Sequence, residues 1–176
     1  MRLLFQDETK RCRCPDRGSG YHPVGERTRV ASPGHSVARW LFGTIDVATG
    51  EGRYQVFRRA TGAEFLRHLD DLLQRFPDDQ RLLVLDQASS HACDAVRDFL
   101  AHVGDRLELV PLPTHSPHLN AIERLWGYLR DHVTRDVFWG TSTRQCQAVC
   151  DVLQALDFPT FQRLMSTSPC LACTTS

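Results

Sequence analysis

The chain has 176 residues, 41% of them hydrophobic and 24% charged, which suits one domain with a real core. Its 21 basic and 21 acidic side chains cancel, and this balance argues neither for nor against nucleic acid, because bound metal ions can carry the positive charge such a partner needs. No apolar run approaches the roughly 20 residues of a membrane helix, and the start "MRLLFQDETK" has no apolar stretch of signal-peptide length, so a cytoplasmic protein without membrane contact is expected.

Residues 2–6, "RLLFQ", predict a short strand running into Asp7, followed by a loop over residues 10–36, rich in Gly, Pro, Arg and Ser. Residues 37–47 and 53–58 flank the turn signal "ATGEG" and predict an antiparallel hairpin. Phe65, Leu66, Leu69, Leu72, Leu73 and Phe76 recur at helical spacing over 62–76, and Pro77 ends that helix. The continuous apolar run "RLLVLD", 81–86, reads as a central strand buried on both faces. A helix over 91–102 and a strand over 106–112 follow, an order that implies a parallel strand pair. From 117 to 133, Ile122, Leu125, Trp126, Leu129 and Val133 form a helical stripe in which Trp126 belongs to the core. A last helix is expected over 143–156, and the end, "MSTSPCLACTTS", reads as a frayed tail. Together these elements make an α/β fold: a mixed five-stranded sheet with helices on both faces, over residues 1–165, with a disordered tail at 166–176.

Seven cysteines in a cytosolic-looking chain do not suggest a disulfide framework. Cys12-x-Cys14 with Cys170-x-x-Cys173 is a conceivable split zinc site; free thiols are the plainer expectation. Twenty of the basic residues are Arg, a side chain suited to phosphate forks, but genome composition produces the same skew.

Three carboxylates stand where chemistry gathers in such a sheet, near the carboxyl ends of parallel strands. Asp86 ends the most buried-looking strand. Asp7 ends the first; its neighbour Glu8 should point to the opposite face, so at most one of the two serves a shared site, and register alone does not say which. Glu123 borders the apolar stripe in the first helical turn. Each also has a plainer reading: Asp86 as a strand-end turn residue, Asp7 as a solvated loop residue, and Glu123 as half of an Asn120-x-x-Glu123 capping box with Asn120 as N-cap.

The combination is more specific. "LPTHSPHLNAIERLW", 112–126, resembles the LPxYSPxLNPIExxW signature of DDE transposases of the mariner-like superfamily, including bacterial insertion-sequence enzymes. "LLVLDQASSH" resembles the strand with their second aspartate and "LLFQDET" the strand with their first. The 36 residues between Asp86 and Glu123 suit the family's spacing, and the resemblance covers about residues 2 to 135. Gln87 stands for the usual Asn, His115 for Tyr, His118 often for an acidic residue and Ala121 for Pro. The last change loosens the helix start, where Pro would preset the backbone.

The resemblance implies an RNase H-like fold and a transposase catalytic domain that cuts DNA strands at transposon ends and joins them to a target. Asp7, Asp86 and Glu123 would be both the catalytic residues and the ligands of two divalent ions, magnesium or alternatively manganese. His91, His115, Asn120, Arg124 and Arg130 are candidates for positioning DNA; a surface His at a helix start (His91) and a solvated helix face (Arg124, Arg130) are the plain alternatives. Double-stranded DNA is the implied partner, the working form a homodimer, and the location the nucleoid of a bacterial cytoplasm. The helix-turn-helix region of such transposases is not seen before Asp7, so the chain resembles the catalytic half. Competing readings are another RNase H-like nuclease, an inactive transposase remnant that binds DNA or dimerises, and a zinc-binding interaction module.

Overall fold

The structure, a computed structural model, describes residues 1–12, 37–77, 80–114, 116–135 and 137–166. Five strands form one sheet in the order β3-β2-β1-β4-β5: β1 (Arg2–Cys12), β2 (Ala38–Asp46), β3 (Gly52–Phe57), β4 (Arg81–Leu85) and β5 (Leu107–Pro111). β1 pairs antiparallel with β2 and β2 with β3, while β4 is parallel to both β1 and β5. This is the expected hairpin followed by a parallel pair. The helices are α1 (Gly62–Arg75), α2 (Asp94–Val103), α3 (Ile122–Leu129), α4 (Ser142–Ala155) and α5 (Phe158–Ser166). None of the described helices is long and apolar enough to cross a membrane.

Strand alternation sorts the core into two layers. Phe5, Leu41, Ile45 and Val84 face Ile122, Leu125 and Trp126 of α3, Val149 of α4 and Phe161 of α5. Leu4, Phe42, Leu83 and Leu85 face Phe65, Leu69 and Leu72 of α1 and Val96 of α2. Full burial of each such side chain contributes about 2 kcal/mol, so both faces of the sheet must be covered, and they are.

Three expectations are corrected. β1 continues through Asp7 to Cys12 instead of ending at Gln6, because its polar second half pairs residue by residue with β2, from Leu4↔Asp46 to Cys12↔Ala38. Ladder hydrogen bonds hold a strand that has no apolar alternation to announce it. The helix expected over 117–133 is three pieces: a 3-10 turn at Pro117–Leu119, α3, and a π-helical turn at Arg130–Thr134. Its stripe is buried nonetheless. Finally, α5 was not anticipated. Pro159 reads as a breaker, but it sits in the first turn, where no N–H is needed. Phe161 and Met165 are buried, and Asp157 accepts from the Thr160 N–H at 2.7 Å to cap the start. Of the split zinc site, Cys12 ends β1, while Cys14, Cys170 and Cys173 lie outside the described residues, as do the tail beyond Ser166 and most of the loop over 10–36.

Candidate active site

The β1–β4 pairing ends with Phe5 opposite Val84. Two residues further along each strand stand Asp7 and Asp86. Alternation puts both on the face covered by α3, on strands about 4.8 Å apart. Asp86 follows the last residue of β4, so it leaves the ladder at the carboxyl edge and is half-exposed.

Helix α3 is tied to β1 on either side of this point. The buried Asn120 donates from its side-chain amide to the Gln6 carbonyl oxygen at 2.9 Å. Six residues on, Trp126 donates its indole N–H to Asp7 Oδ2, also at 2.9 Å. The indole fits there because Gly43, the β2 partner of Asp7, lacks a side chain; a Cβ on it would stand 2.6 Å from Trp126. Between these two ties lies Glu123.

The capping-box reading of Glu123 is thereby corrected. No side-chain cap closes the start of α3. Asn120 uses its amide on the strand, leaving Glu123 facing a cleft of about 350 Å³ whose lining also includes Asp7, Asp86, Gln87, Ser116 and Asn120. Gln87, in place of the family's usual Asn, donates to the Leu112 carbonyl at 2.7 Å and so holds the loop that forms the far wall. Among the described residues, nothing donates a hydrogen bond to the buried Asn120 Oδ1.

Crowding of acidic groups shows in their protonation. Burial, then the nearby Glu123 carboxylate, raise the Asp7 pKa to about 7, although the Trp126 bond works against this. Glu123 is also raised, chiefly by burial and against the pull of Arg130, with Asp86 adding repulsion. Asp86 goes the other way: the hydrogen bond from His91 holds its carboxyl below the usual range. A site that keeps two of three carboxylates reluctant to ionise is short of positive charge.

His91 is a buried residue, which overturns the surface alternative. Its Nε2 lies 2.8 Å from Glu8 Oε1, its Nδ1 3.3 Å from Asp86 Oδ1, and its ring 4.3 Å from that of Phe65. Burial disfavours charge on the imidazole, but bonds to Asp86 and Glu8 outweigh it and raise the pKa to about 10. Ligand atoms of Glu8, Asp86 and His91 fall within 4.8 Å of one another. An imidazolium clamped by two carboxylates fills that trio as a cation would. Glu8 does face away from Asp7, as strand alternation requires; the sequence reading missed that His91 links it back to Asp86.

Arg130 lines a groove together with Asp7, Glu8 and Glu123. Arg124 lines a different groove with Tyr128, His132 and Arg163. His115 lies outside the described residues.

Residues 2–144 match the model of the DDE superfamily endonuclease family, and the chain belongs to that family. An insertion element IS630 uncharacterized 39 kDa protein of Shigella sonnei is 24% identical over 86% of this chain and 42% of its own length. The uncharacterized protein y4pE/y4sA of Sinorhizobium fredii is 29% identical over 53% of this chain and 66% of its own. The chain thus spans less than two thirds of these curated relatives. Among solved structures, the Mos1 transposase paired-end complex with left transposon end superimposes with a TM-score of 0.75 at 20% identity, covering 98% of this chain and 55% of that one. The catalytic domain of Mos1 mariner transposase gives 0.63 at 19% identity, covering 98% and 81%. These likenesses show the fold, which is RNase H-like as the motifs implied.

Proposed function

We propose that this chain is the catalytic domain of an insertion-sequence transposase, cutting double-stranded DNA at transposon ends and joining it to a target. The observation that carries the reading is the meeting of Asp7, Asp86 and Glu123, from two strands and a helix, in one open cleft. The structural relatives include Mos1 complexes with Mg and with Mn, which fits the same class of ion here.

The residues suit such an ion. Carboxylate oxygens are hard donors that match magnesium or manganese, while the free Cys93, Cys146 and Cys150 are absent from the cleft lining. The orphaned Asn120 Oδ1 offers a buried acceptor to an ion-bound water. In this reading Asp7, Asp86 and Glu123 would hold two divalent ions, which when bound would supply positive charge for the attacking and leaving oxygens of an in-line displacement at phosphorus.

The chain's own groups do the rest. Trp126 fixes the rotamer of Asp7, Asn120 fixes the helix that delivers Glu123, and Arg130 stands where a backbone phosphate would lie. First water cuts a strand at the transposon end; the freed 3′-hydroxyl then attacks target DNA in the same cleft. Two copies act together, one per end, and a helix-turn-helix region of the kind the family carries reads the end sequence. The test is cleavage of DNA bearing the element's own inverted repeats. Asp86→Asn should abolish magnesium-dependent nicking, and undiminished nicking would defeat the reading.

A further inference from the structure

The geometry points to a positioning relay on the far side of the sheet: we infer that Glu8 and His91, neither facing the cleft with Asp7, set the orientation of the Asp86 carboxylate and so the affinity of the metal site. This rests on the reading of Asp86 as a metal ligand and adds residues to it.

Asp86 needs such support. It lies past the end of β4, and its side chain is 55% exposed, so neither ladder nor packing fixes its rotamer. Two contacts restrain it: the Ala88 N–H at 3.0 Å and His91 Nδ1 at 3.3 Å, both on Oδ1. The same Nδ1 is 3.2 Å from the Asp86 backbone oxygen, so one ring nitrogen registers main chain and side chain together. Among the described residues Oδ2 takes no hydrogen bond, which leaves it available to an ion.

The imidazole is itself immobile. Phe65 packs against its face, and Glu8 Oε1 takes its other nitrogen at 2.8 Å. That oxygen also accepts from the fully buried Gln6 amide at 3.0 Å, so Glu8 is pinned in turn. The chain Gln6–Glu8–His91–Asp86 therefore runs from the sheet interior to the cleft with each member held by the one before. With both ring nitrogens engaged by carboxylates, His91 is a strut between them and not a ligand. Partners of this kind behind metal ligands typically change affinity by about 10–100-fold when removed.

Binding of Mn2+ to the full chain, read as loss of the free-ion paramagnetic resonance signal, tests this without relying on activity. Asp86→Asn should abolish tight binding. Glu8→Ala and His91→Gln should each weaken it about 10–100-fold while the proteins remain folded by circular dichroism, and Glu8→Gln, which keeps an oxygen for His91, should lie nearer the parent. If Asp86→Asn abolishes binding but Glu8→Ala binds as the parent does, the relay is wrong and the metal reading survives. If Asp86→Asn binds normally, both are wrong. Should His91→Gln not fold, the two Glu8 variants decide alone.

Discussion

Trp126 donates its indole N–H to the carboxylate of Asp7 across 2.9 Å, although 119 positions separate them in the chain. The bond joins the first strand of the sheet to the helix that carries Glu123, and it gives a core tryptophan a task in the site. Trp126→Phe keeps most of the packing and deletes the donor. It should lower metal affinity and cleavage by about 10–100-fold, with the Asp7 pKa moving further up, since the Trp126 bond lowers it. Gly43→Ala approaches the same defect from the opposite side. Its Cβ would collide with the indole, so a loss of about 1–3 kcal/mol in denaturant unfolding is expected, together with the affinity loss. Normal metal binding in Trp126→Phe would remove the indole from the site.

Asn120 offers a test of how the helix start is held. Asn120→Ala leaves the Gln6 carbonyl without its donor and should cost about 1–3 kcal/mol in equilibrium unfolding. Asn120→Asp should cost more, because it turns a carboxylate oxygen toward that carbonyl and adds a fourth acid to the cleft. Parent-like stability of Asn120→Ala would show that the bond is dispensable.

The protonation of Asp7 gives a pH signature. Its folded pKa, about 7, lies above the ordinary value of 3.8. The metal-free protein therefore has this group's stabilising contribution in full below about pH 4 and loses it as pH rises through 7. Metal binding runs in the opposite sense, because the ion must displace the proton. Affinity for Mn2+ should fall by up to about tenfold per unit below pH 7, and the rise in Tm on adding Mn2+ should grow between pH 5.5 and 7.5. Calorimetry in buffers of different ionisation enthalpy would register the released proton; no release at pH 6 would contradict the assignment.

The two-layer fold was legible because its signals are local. The run "RLLVLD" and the stripe Ile122, Leu125, Trp126, Leu129, Val133 depend on periodicity, and periodicity survives in the sequence. The second half of β1 was not legible, because Asp7 to Cys12 is polar and becomes strand through its pairing with β2. Helix α5 was hidden by Pro159, a residue that stops a helix anywhere but in its first turn. In the candidate site, the three acids were singled out through a resemblance whose motifs flank them, and they line one cleft. Glu8 escaped because alternation turns it away from Asp7, and what returns it to the site is a contact with His91, 83 residues distant. Asn120 stands one residue before the Ala121 N-cap of α3 and has another partner than the one expected: local spacing suggests a cap, and tertiary contact with Gln6 overrides it. Side-chain contacts across a sheet leave no periodic mark.

The most direct measurement is a crystal structure of the chain soaked in Mn2+, with the ions located by anomalous scattering. The account predicts peaks in the cleft within bonding distance of Asp7, Asp86 and Glu123 together, with His91 still seated between Glu8 and Asp86. A single peak ligated by Glu8, Asp86 and His91, away from Asp7 and Glu123, or no peak in the cleft at saturating Mn2+, would contradict it.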